Sequence, residues 1–150
     1  MTKHHHPSAA ETEARLLAEG WEQEIAAGFI DYIGPFWRRV TADGGIEFCF
    51  PTDPRHHNTR NVLQGGALMT FADLAVGRAF RFRTGATRTA TVQLDVTFID
   101  AVQIGEIVYA KPEMARATKT VAFMRSTFTV GERVVATAQG VWKFLRPVAG

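Results

Sequence analysis

One apolar segment, GGALMTFADLAVGRAFRF at residues 65–82, limits the fold of this chain more than any other feature. Its apolar side chains recur at steps of three and four residues, which is the period of a helix. Small residues occupy many other positions: Gly65, Gly66, Ala67, Ala72, Ala75, Gly77 and Ala79. A helix with so little polar surface is predicted to lie inside the protein, close to its neighbours.

From Thr89 onward the apolar period changes to two, which is typical of β-strands. The segments are TATVQLDVTFI, GEIVYAKPEMARA, TKTVAFMRSTFTV and ERVVATAQGVWKFL. Long strands separated by short breaks predict an antiparallel meander. Because a sheet must cover its apolar face, this sheet is predicted to curl around the helix that begins near Gly65. The fold is therefore expected to be α+β, with about five or six long strands around one central helix.

The first third of the chain predicts a helix and a hairpin. Ser8 and Glu11 have the spacing of a capping box, and an amphipathic helix is predicted to run from there to near Gly28. The segments FIDYIGPFWRRV and IEFCF are predicted strands joined by a turn at residues 43–45. The next segment, PTDPRHHNTRNV, is predicted to be a loop because it combines two prolines with many polar residues.

The two histidine clusters do not predict a metal site. Residues 4–6 are three histidines, which are expected to form a tail. His56 and His57 are predicted to be exposed in the loop. No cysteine or carboxylate stands at a metal-ligand spacing around them, so no metal is assigned.

Length and composition favour one soluble cytoplasmic domain. The chain has 150 residues, and none of its apolar runs approaches the roughly 18 residues that span a membrane. The N-terminus lacks the apolar core of a signal peptide. The single cysteine, Cys49, cannot form an internal disulfide, which agrees with a cytoplasmic location.

Charge is distributed unevenly along the chain. Residues 1–53 carry four Lys or Arg and nine Asp or Glu, whereas residues 54–150 carry thirteen and six. The basic part can meet an anionic ligand such as a nucleotide phosphate, although a solvated surface is the simpler explanation. The sequence has no dense basic run, zinc-finger spacing or aromatic RNA-binding motif, so nucleic acid is not an expected partner.

Five residues around the beginning of the predicted helix resemble the motif of a known family. They are Asn58, Gln64, Gly65, Gly66 and Asp73. Their spacing is similar to that in hotdog-fold acyl-CoA thioesterases of the phenylacetate-degradation (PaaI-like) type. Four of the five residues match, whereas Gln64 stands where the family usually has histidine. The later segments TATVQLDVTFIDAVQIGEIV and ATKTVAFMRSTFTVGERVVATAQGVWKF resemble the family's strands, so the similarity covers roughly residues 30–145.

The resemblance implies the architecture and the assembly. A long antiparallel sheet wraps around a central helix in the hotdog fold. We expect residues 1–28 to form a tail and an amphipathic helix, and residues 29–146 to form the hotdog domain. Domains of this kind pair, so the resemblance implies a homodimer that can pair again into a homotetramer.

The resemblance also implies a reaction, the hydrolysis of an acyl-CoA thioester to a carboxylic acid and coenzyme A. Asp73 would activate water or attack the thioester itself, and the sequence does not choose between these roles. The N–H of Gly65, at the positive end of the helix, would stabilise the oxyanion. No cofactor is expected, because coenzyme A is part of the substrate. The alternatives are an Asp73 on the exposed stripe of the helix and glycines that only permit a tight entry into the helix.

The resemblance implies a site shared between subunits, which agrees with distances along the helix. Gly65 and Asp73 are separated by about 12 Å of helix, so one helix alone does not easily bring both to one thioester carbon. In the family's dimers two central helices run antiparallel, so Asp73 of one subunit would face Gly65, Gln64 and Asn58 of the other. Gln64 and Asn58 would then position substrate and water, or Asn58 would only form a turn.

Further residues are predicted to bind the substrate. Thr91 on the following strand would donate to water or to Asp73, unless it is present only because threonine favours strands. Cationic candidates for the coenzyme A phosphates are Arg88, Arg116, Lys119 and Arg125. Gly66 would lie beside the bound thioester, and the apolar candidates for the acyl pocket are Phe71, Leu74 and Phe82. Solvation and core packing are the alternative explanations for these charged and apolar residues.

Two other functions compete with hydrolysis. A hotdog hydratase acting on enoyl thioesters usually needs a histidine beside an acid, and Gln64 removes the expected histidine. A non-catalytic acyl-CoA binding or sensing protein needs the pocket but not the acid, so Asp73 disfavours it.

Overall fold

A computed structural model describes residues 7–146, so the histidines at positions 4–6 lie outside the described residues. The helices are α1 (Ala9–Ala18), α2 (Phe29–Ile33) and α3 (Gly65–Thr84). The strands are β1 (Glu22–Gln23), β2 (Trp37–Val40), β3 (Ile46–Pro51), β4 (Thr89–Phe98), β5 (Ile107–Ala110), β6 (Glu113–Ala117), β7 (Val121–Val130) and β8 (Arg133–Phe144). A short 3-10 turn at Pro54–His56 interrupts the loop before α3.

All the strand pairs are antiparallel, and they form one sheet in the order β1-β2-β3-β5-β7-β8-β4, with β6 paired to β7. The α+β fold with a sheet around one helix is confirmed. The predicted meander is confirmed for the last three of its segments, since β5 and β6 pair with β7 and β7 pairs with β8. It is wrong for β4, which pairs with β8 and not with β5. The connection after β4 does not turn back, since Leu63 N–H donates to the Val102 carbonyl at 2.9 Å and ties it to the segment before α3. This leaves β4 at the edge of the sheet.

Helix α3 supplies the centre of the core, as its apolar period predicts. Phe71 is fully buried, and its ring lies 5.5 Å from those of Phe36 and Phe50 and 5.8 Å from that of Phe128. The helix ends at Gly85, whose φ of 71° is the left-handed conformation that glycine adopts most readily. The core therefore fixes the position of α3, and with it the side chains on its remaining face.

The N-terminal helix is shorter than predicted. The capping box is confirmed, since Ser8 N–H donates to the Glu11 carboxylate at 2.7 Å and Glu11 N–H donates to the Ser8 hydroxyl at 3.2 Å. The helix does not reach Gly28 but ends at Ala18. Gly20 turns the chain with a φ of 81°, and the buried Trp21 then leads into β1. Positive φ at Gly20 is incompatible with continuing the helix.

The predicted hairpin is confirmed, but its first strand is shorter than predicted and begins at Trp37. Strands β2 and β3 pair across the turn at residues 41–45, where Thr41 N–H donates to the Gly45 carbonyl at 2.9 Å. The first residues of the predicted strand form helix α2 instead. Gly34 and Pro35 separate α2 from β2, because proline has no N–H to donate to a hydrogen bond of the helix or of the sheet.

A smaller apolar cluster joins the N-terminal segment to the sheet. It consists of Leu16, Trp21, Trp37 and Cys49. Burial raises the pKa of the Cys49 thiol well above its usual range, so this cysteine is unsuited to act as a nucleophile. Strand β1 also pairs with β2, so residues from α1 to β1 pack on the sheet, and the domain boundary at residue 28 stays a prediction.

None of the helices within residues 7–146 combines the length and apolar character needed to cross a membrane.

Candidate active site

The beginning of α3 presents an unpaired backbone donor. Gln64 is the N-cap, with extended backbone angles, and its side-chain carbonyl accepts from the N–H of Gly66. Gly65 is the first helical residue, and within residues 7–146 its N–H has no acceptor. A free N–H at this end of a helix favours a negatively charged group. The side-chain amide of Gln64 is exposed and keeps its N–H groups for a ligand.

A cleft of about 440 Å³ opens beside this helix terminus, and we call it the mouth cleft. It is lined by Asn58, Arg60, Val62, Leu63, Gly65, Leu68 and residues 98–102. A Cβ atom at Gly65 would lie 3.3 Å from the ring of Phe98. Close packing against Phe98 is therefore one reason for glycine at this position, beside any role in catalysis.

The side chain of Asn58 braces the loop that leads into α3. Its oxygen accepts from Arg60 N–H at 2.8 Å and from Val62 N–H at 3.4 Å, which is the geometry of an Asx turn. The turn that the sequence predicts as one possible role of Asn58 is therefore observed. The amide N–H groups of Asn58 make no hydrogen bond to another described residue, so its role in positioning water stays a prediction.

His56 is buried, and the prediction that it is exposed is wrong; His57 is exposed as predicted. Nδ1 of His56 accepts from Asp53 N–H at 3.0 Å, and Nε2 donates to the Ile33 carbonyl at 2.6 Å. Burial lowers the pKa of His56 below its ordinary value of 6.5. Its carbonyl accepts from Gln64 N–H at 2.8 Å, so a neutral, fully bonded His56 fixes the cap residue of α3.

Asp73 lies in a second cleft, of about 190 Å³, which we call the Asp73 cleft. Thr91 on β4 donates its hydroxyl to Oδ1 of Asp73 at 2.7 Å, so the contact predicted between these residues is present. The register of β4 against β8 shifts between Thr91 and Gln93. A bulge of this kind changes the direction of nearby side chains and often occurs beside active sites.

The other residues that line the Asp73 cleft are Ile30, Leu74, Gly77, Arg78, Arg81, Thr89 and Trp142. The sequence analysis missed Arg78 and Arg81, although both follow Asp73 on the same helix. Arg78 Nε pairs with the carboxylate of Glu24 at 2.9 Å, and Glu24 is only 8% exposed. The other carboxylate oxygen of Glu24, Oε2, has no hydrogen bond within the described residues, but it lies 3.7 Å from Arg38 Nε. The pairing with Glu24 could not be found from the sequence, because the fold brings β1 to α3.

The predicted phosphate contacts lie outside both clefts. Arg88 donates to the carbonyl of Arg146 at 3.1 Å, and Arg125 pairs with Glu113 at 3.0 Å. Arg116 and Lys119 are exposed, on β6 and in the turn that follows it. Their contacts with coenzyme A stay predictions.

The apolar candidates divide between the core and the clefts. Leu74 lines the Asp73 cleft, whereas Phe71 is fully enclosed by other aromatic rings. Phe82 is exposed, and Gly66 is exposed at the beginning of α3. Packing accounts for Phe71, and the role of the others in acyl binding stays a prediction.

The two predicted halves of the site are separate within one chain. Gly65 and Asn58 line the mouth cleft, and Asp73, Thr91 and Leu74 line the other. The part of the chain described here contains no group of three His, Cys, Asp or Glu side chains placed to hold a metal ion. The two clefts offer two functional groups: the Asp73 carboxylate, which accepts from the Thr91 hydroxyl, and the unpaired backbone N–H of Gly65.

A long antiparallel sheet around a central helix is the hotdog fold, and the chain belongs to the thioesterase superfamily. The profile of this family matches residues 61–137. A Pseudomonas aeruginosa relative named "Putative esterase PA0474" is 30% identical over 114 residues, which cover 75% of this chain and 85% of the relative. The resemblance inferred from the motif around Asp73 is confirmed at the level of the family.

Solved structures share the fold at low sequence identity. The BH2602 protein of Bacillus halodurans, solved with CoA, has a TM-score of 0.73 and 19% identity, covering 94% of this chain and 97% of that one. Zebrafish thioesterase superfamily member 2 has a TM-score of 0.70 and 21% identity over 80% and 88% of the two chains. The Escherichia coli PaaI protein has a TM-score of 0.64 and 14% identity over 91% and 88%. The predicted PaaI-like hotdog fold is therefore confirmed.

Proposed function

We propose that this protein hydrolyses an acyl-CoA thioester to a free carboxylic acid and coenzyme A. The observation that carries the proposal is the hydrogen bond of 2.7 Å from Thr91 to Asp73, which holds a carboxylate ready in a cleft on the central helix. Membership in the thioesterase superfamily supports hydrolysis as the reaction. The CoA bound by the similar Bacillus halodurans protein supports coenzyme A as the carrier. A cytoplasmic location is part of the proposal.

Asp73 supplies the reactive oxygen. Thr91 holds Oδ1, which leaves Oδ2 to take a proton from water as the water oxygen attacks the thioester carbon. The tetrahedral intermediate then collapses, the C–S bond breaks, and coenzyme A leaves as a thiolate that takes up a proton. In the nucleophilic variant Oδ2 attacks the carbon itself, and the C–S bond breaks to give a mixed anhydride and the coenzyme A thiolate, which takes up a proton. Water then hydrolyses the anhydride to the free acid and restores the Asp73 carboxylate.

The beginning of α3 stabilises the charge that forms on the carbonyl oxygen. The unpaired N–H of Gly65 is aimed out of the helix at its positive end, where an oxyanion gains most. The amide of Gln64 donates beside it, and Asn58 shapes the loop that bounds the mouth cleft. Gln64 cannot titrate near neutral pH, so this arrangement uses it as a donor and not as a base.

The site is completed by a second copy of the chain. Strand β4 is a ten-residue edge strand with exposed apolar side chains, Val92 at 58% and Phe98 at 52%, and the next residue, Ile99, is 55% exposed. Such an edge is a template for pairing with another strand. Pairing of two β4 edges with antiparallel α3 helices brings Asp73 of one subunit toward Gly65, Gln64 and Asn58 of the partner subunit. Two such dimers can form a tetramer.

Release of free thiol from a panel of acyl-CoAs tests the proposal. Wild type is expected to turn over at least one of them, and Asp73→Asn is expected to lose about 10²–10⁴-fold in kcat with its dimer intact. Equal rates for the two proteins contradict the role of Asp73. Tight acyl-CoA binding without any turnover contradicts hydrolysis and supports a sensor.

A further inference from the structure

The Asp73 cleft contains a cation that the proposed reaction does not use. Arg81 lines it together with Asp73 and Arg78, and all three come from α3. Arg81 is partly buried, and its side chain makes no ion pair or hydrogen bond with any residue between positions 7 and 146. A guanidinium has five donors and stays charged, so leaving it unpaired in a cleft has a cost unless a ligand binds there.

The neighbouring arginine differs in this respect. Arg78 is neutralised by the buried Glu24, which lies 2.9 Å from its Nε. Asp73 is held by the neutral hydroxyl of Thr91, which does not compensate a cation. The cleft therefore contains one anion with a chemical role, one compensated cation and one uncompensated cation, Arg81.

The geometry of the helix directs Arg81 toward Asp73. Eight residues separate their Cα atoms by about 12 Å along the axis. Side chains on a helix tend to lean toward its N-terminus, which favours a guanidinium of Arg81 on the Asp73 side of the Arg81 Cα atom, and both residues line the same cleft. An acyl group whose thioester carbon lies at Asp73 would extend toward Arg81 along the cleft.

We infer that Arg81 binds a carboxylate at the far end of the acyl group, so that the substrates are thioesters of short dicarboxylic acids. This inference rests on the proposed hydrolysis at Asp73. A cleft of about 190 Å³ has room for a short acyl group, but not for the pantetheine arm and nucleotide. The phosphates of coenzyme A are separated from the sulfur by a long chain with two amide groups, and in its extended form this chain would place them beyond the roughly 12 Å between Asp73 and Arg81. Arginine binds a carboxylate through two parallel hydrogen bonds, which adds geometric selectivity.

Glutaryl-CoA and pentanoyl-CoA test the inference, because they have equal chain lengths and differ in a terminal carboxylate or methyl group. Wild type is expected to prefer glutaryl-CoA in kcat/KM by about tenfold or more. Arg81→Gln is expected to lose about ten- to a hundredfold on glutaryl-CoA, mainly through KM, and less than about threefold on pentanoyl-CoA. Arg81→Lys should recover part of the loss, since lysine supplies the charge without the paired donors.

Arg83→Gln is the matched control, because Arg83 is an exposed arginine on the same helix and lies outside the cleft. It is expected to leave both kcat/KM values unchanged. Turnover without preference, and without an effect of Arg81→Gln, overturns the inference and leaves the hydrolysis standing. Equal losses on both substrates assign Arg81 to coenzyme A and also overturn it, as does a lost dimer without a selective loss. If wild type hydrolyses neither substrate nor any other acyl-CoA, the proposed function itself is wrong.

Discussion

The beginning and the middle of α3 carry the two halves of the proposed site in different chemical forms. At the beginning, the donor is the backbone N–H of Gly65, beside the exposed cap residue Gln64. In the middle, the proposed reactive group is the side chain of Asp73, which accepts a hydrogen bond from the hydroxyl of Thr91. The two halves line separate clefts of one chain.

This difference determines which substitution removes the functional group of each half of the proposed site. A backbone N–H survives every substitution except proline, which removes the hydrogen itself. A side-chain group is removed by an isosteric replacement that leaves the backbone unchanged. Gly65→Pro and Asp73→Asn are thus the matched pair that separates the beginning of the helix from its middle.

The largest expected effect is recovery of activity when the two inactive variants are mixed. Each homodimer of Asp73→Asn or Gly65→Pro lacks an intact site. A heterodimer has one subunit with a normal Asp73 facing a partner subunit with a normal Gly65. After subunit exchange between equal amounts of the two variants, half of the dimers are mixed, and one of the two sites in each mixed dimer is intact. The mixture should therefore have about a quarter of the activity of the same amount of wild type. Thiol release by the mixture measures this recovery.

A mixture of Asp73→Asn with Asp73→Ala is the control, since none of its dimers contains an intact site. Heterodimers that form and remain inactive would show that Asp73 and Gly65 do not meet across a subunit interface.

The next effect separates the N–H of Gly65 from the space that glycine provides. Gly65 is the first helical residue, where proline is tolerated, and the extended backbone of Gln64 suits a following proline. Gly65→Pro is expected to fold and to lower kcat by about 10²–10³-fold through loss of one oxyanion donor. Steady-state kinetics on the best acyl-CoA of the panel measures the loss.

Gly65→Ala is the companion variant, because it adds a Cβ atom 3.3 Å from the Phe98 ring and keeps the N–H. We expect Gly65→Ala to lose far less in kcat than Gly65→Pro. Equal losses would assign Gly65 to packing against Phe98 and not to catalysis.

The sequence predicts α3 and the strands well because their signals are local. Eighteen residues with a helical apolar period can form only one kind of element, and the change to a period of two after Thr89 is equally clear. The order of the strands is not local, since β4 pairs with β8 at the far end of the chain. The length of α1 was overpredicted because the amphipathic pattern continues past Gly20, where the backbone cannot.

The same distinction applies to the site. Asp73 and Thr91 could be paired in advance because a resemblance supplies long-range information that the pattern lacks. The burial of His56 and of Glu24 depends on segments that the fold brings together, so neither could be read from its neighbours in the chain. The spacing between Arg81 and Asp73 in the sequence could have predicted that the two residues lie near each other on the helix. It could not have predicted that Arg81 has no partner within the described residues.

A smaller effect is expected for the group that orients Asp73. Thr91→Val removes the donor of the 2.7 Å hydrogen bond and preserves the shape of the side chain. We expect a loss of about tenfold in kcat, since hydrogen bonds to charged groups contribute about 1.5–3 kcal/mol. Thr91→Ser keeps the hydroxyl and should retain most of the activity. If Thr91→Val and Thr91→Ser are equally active, the hydroxyl is present only because threonine favours strands.

The smallest effect concerns pH and distinguishes the beginning of α3 from its middle without any substrate. Burial lowers the pKa of His56 below 6.5 in the folded protein, so below that pH the unfolded chain binds a proton that the folded chain does not. Stability is therefore complete above pH 6.5 and falls as the pH falls toward the folded pKa. The thermal midpoint should decrease across this window, and His56→Gln should reduce the slope while lowering the midpoint throughout. His57→Gln, at an exposed neighbour, should leave the slope unchanged.

Amide hydrogen exchange in the same window locates the effect. Because the His56 carbonyl accepts from Gln64 N–H at 2.8 Å, protonation of His56 should loosen residues 56–66 before the helix around Asp73. Faster opening at the beginning of α3, measured relative to the intrinsic exchange rates, would show that the donor half of the site depends on a neutral histidine. An equal increase along the whole helix would show that α3 responds as one unit, and that its beginning and its middle differ in chemistry but not in stability.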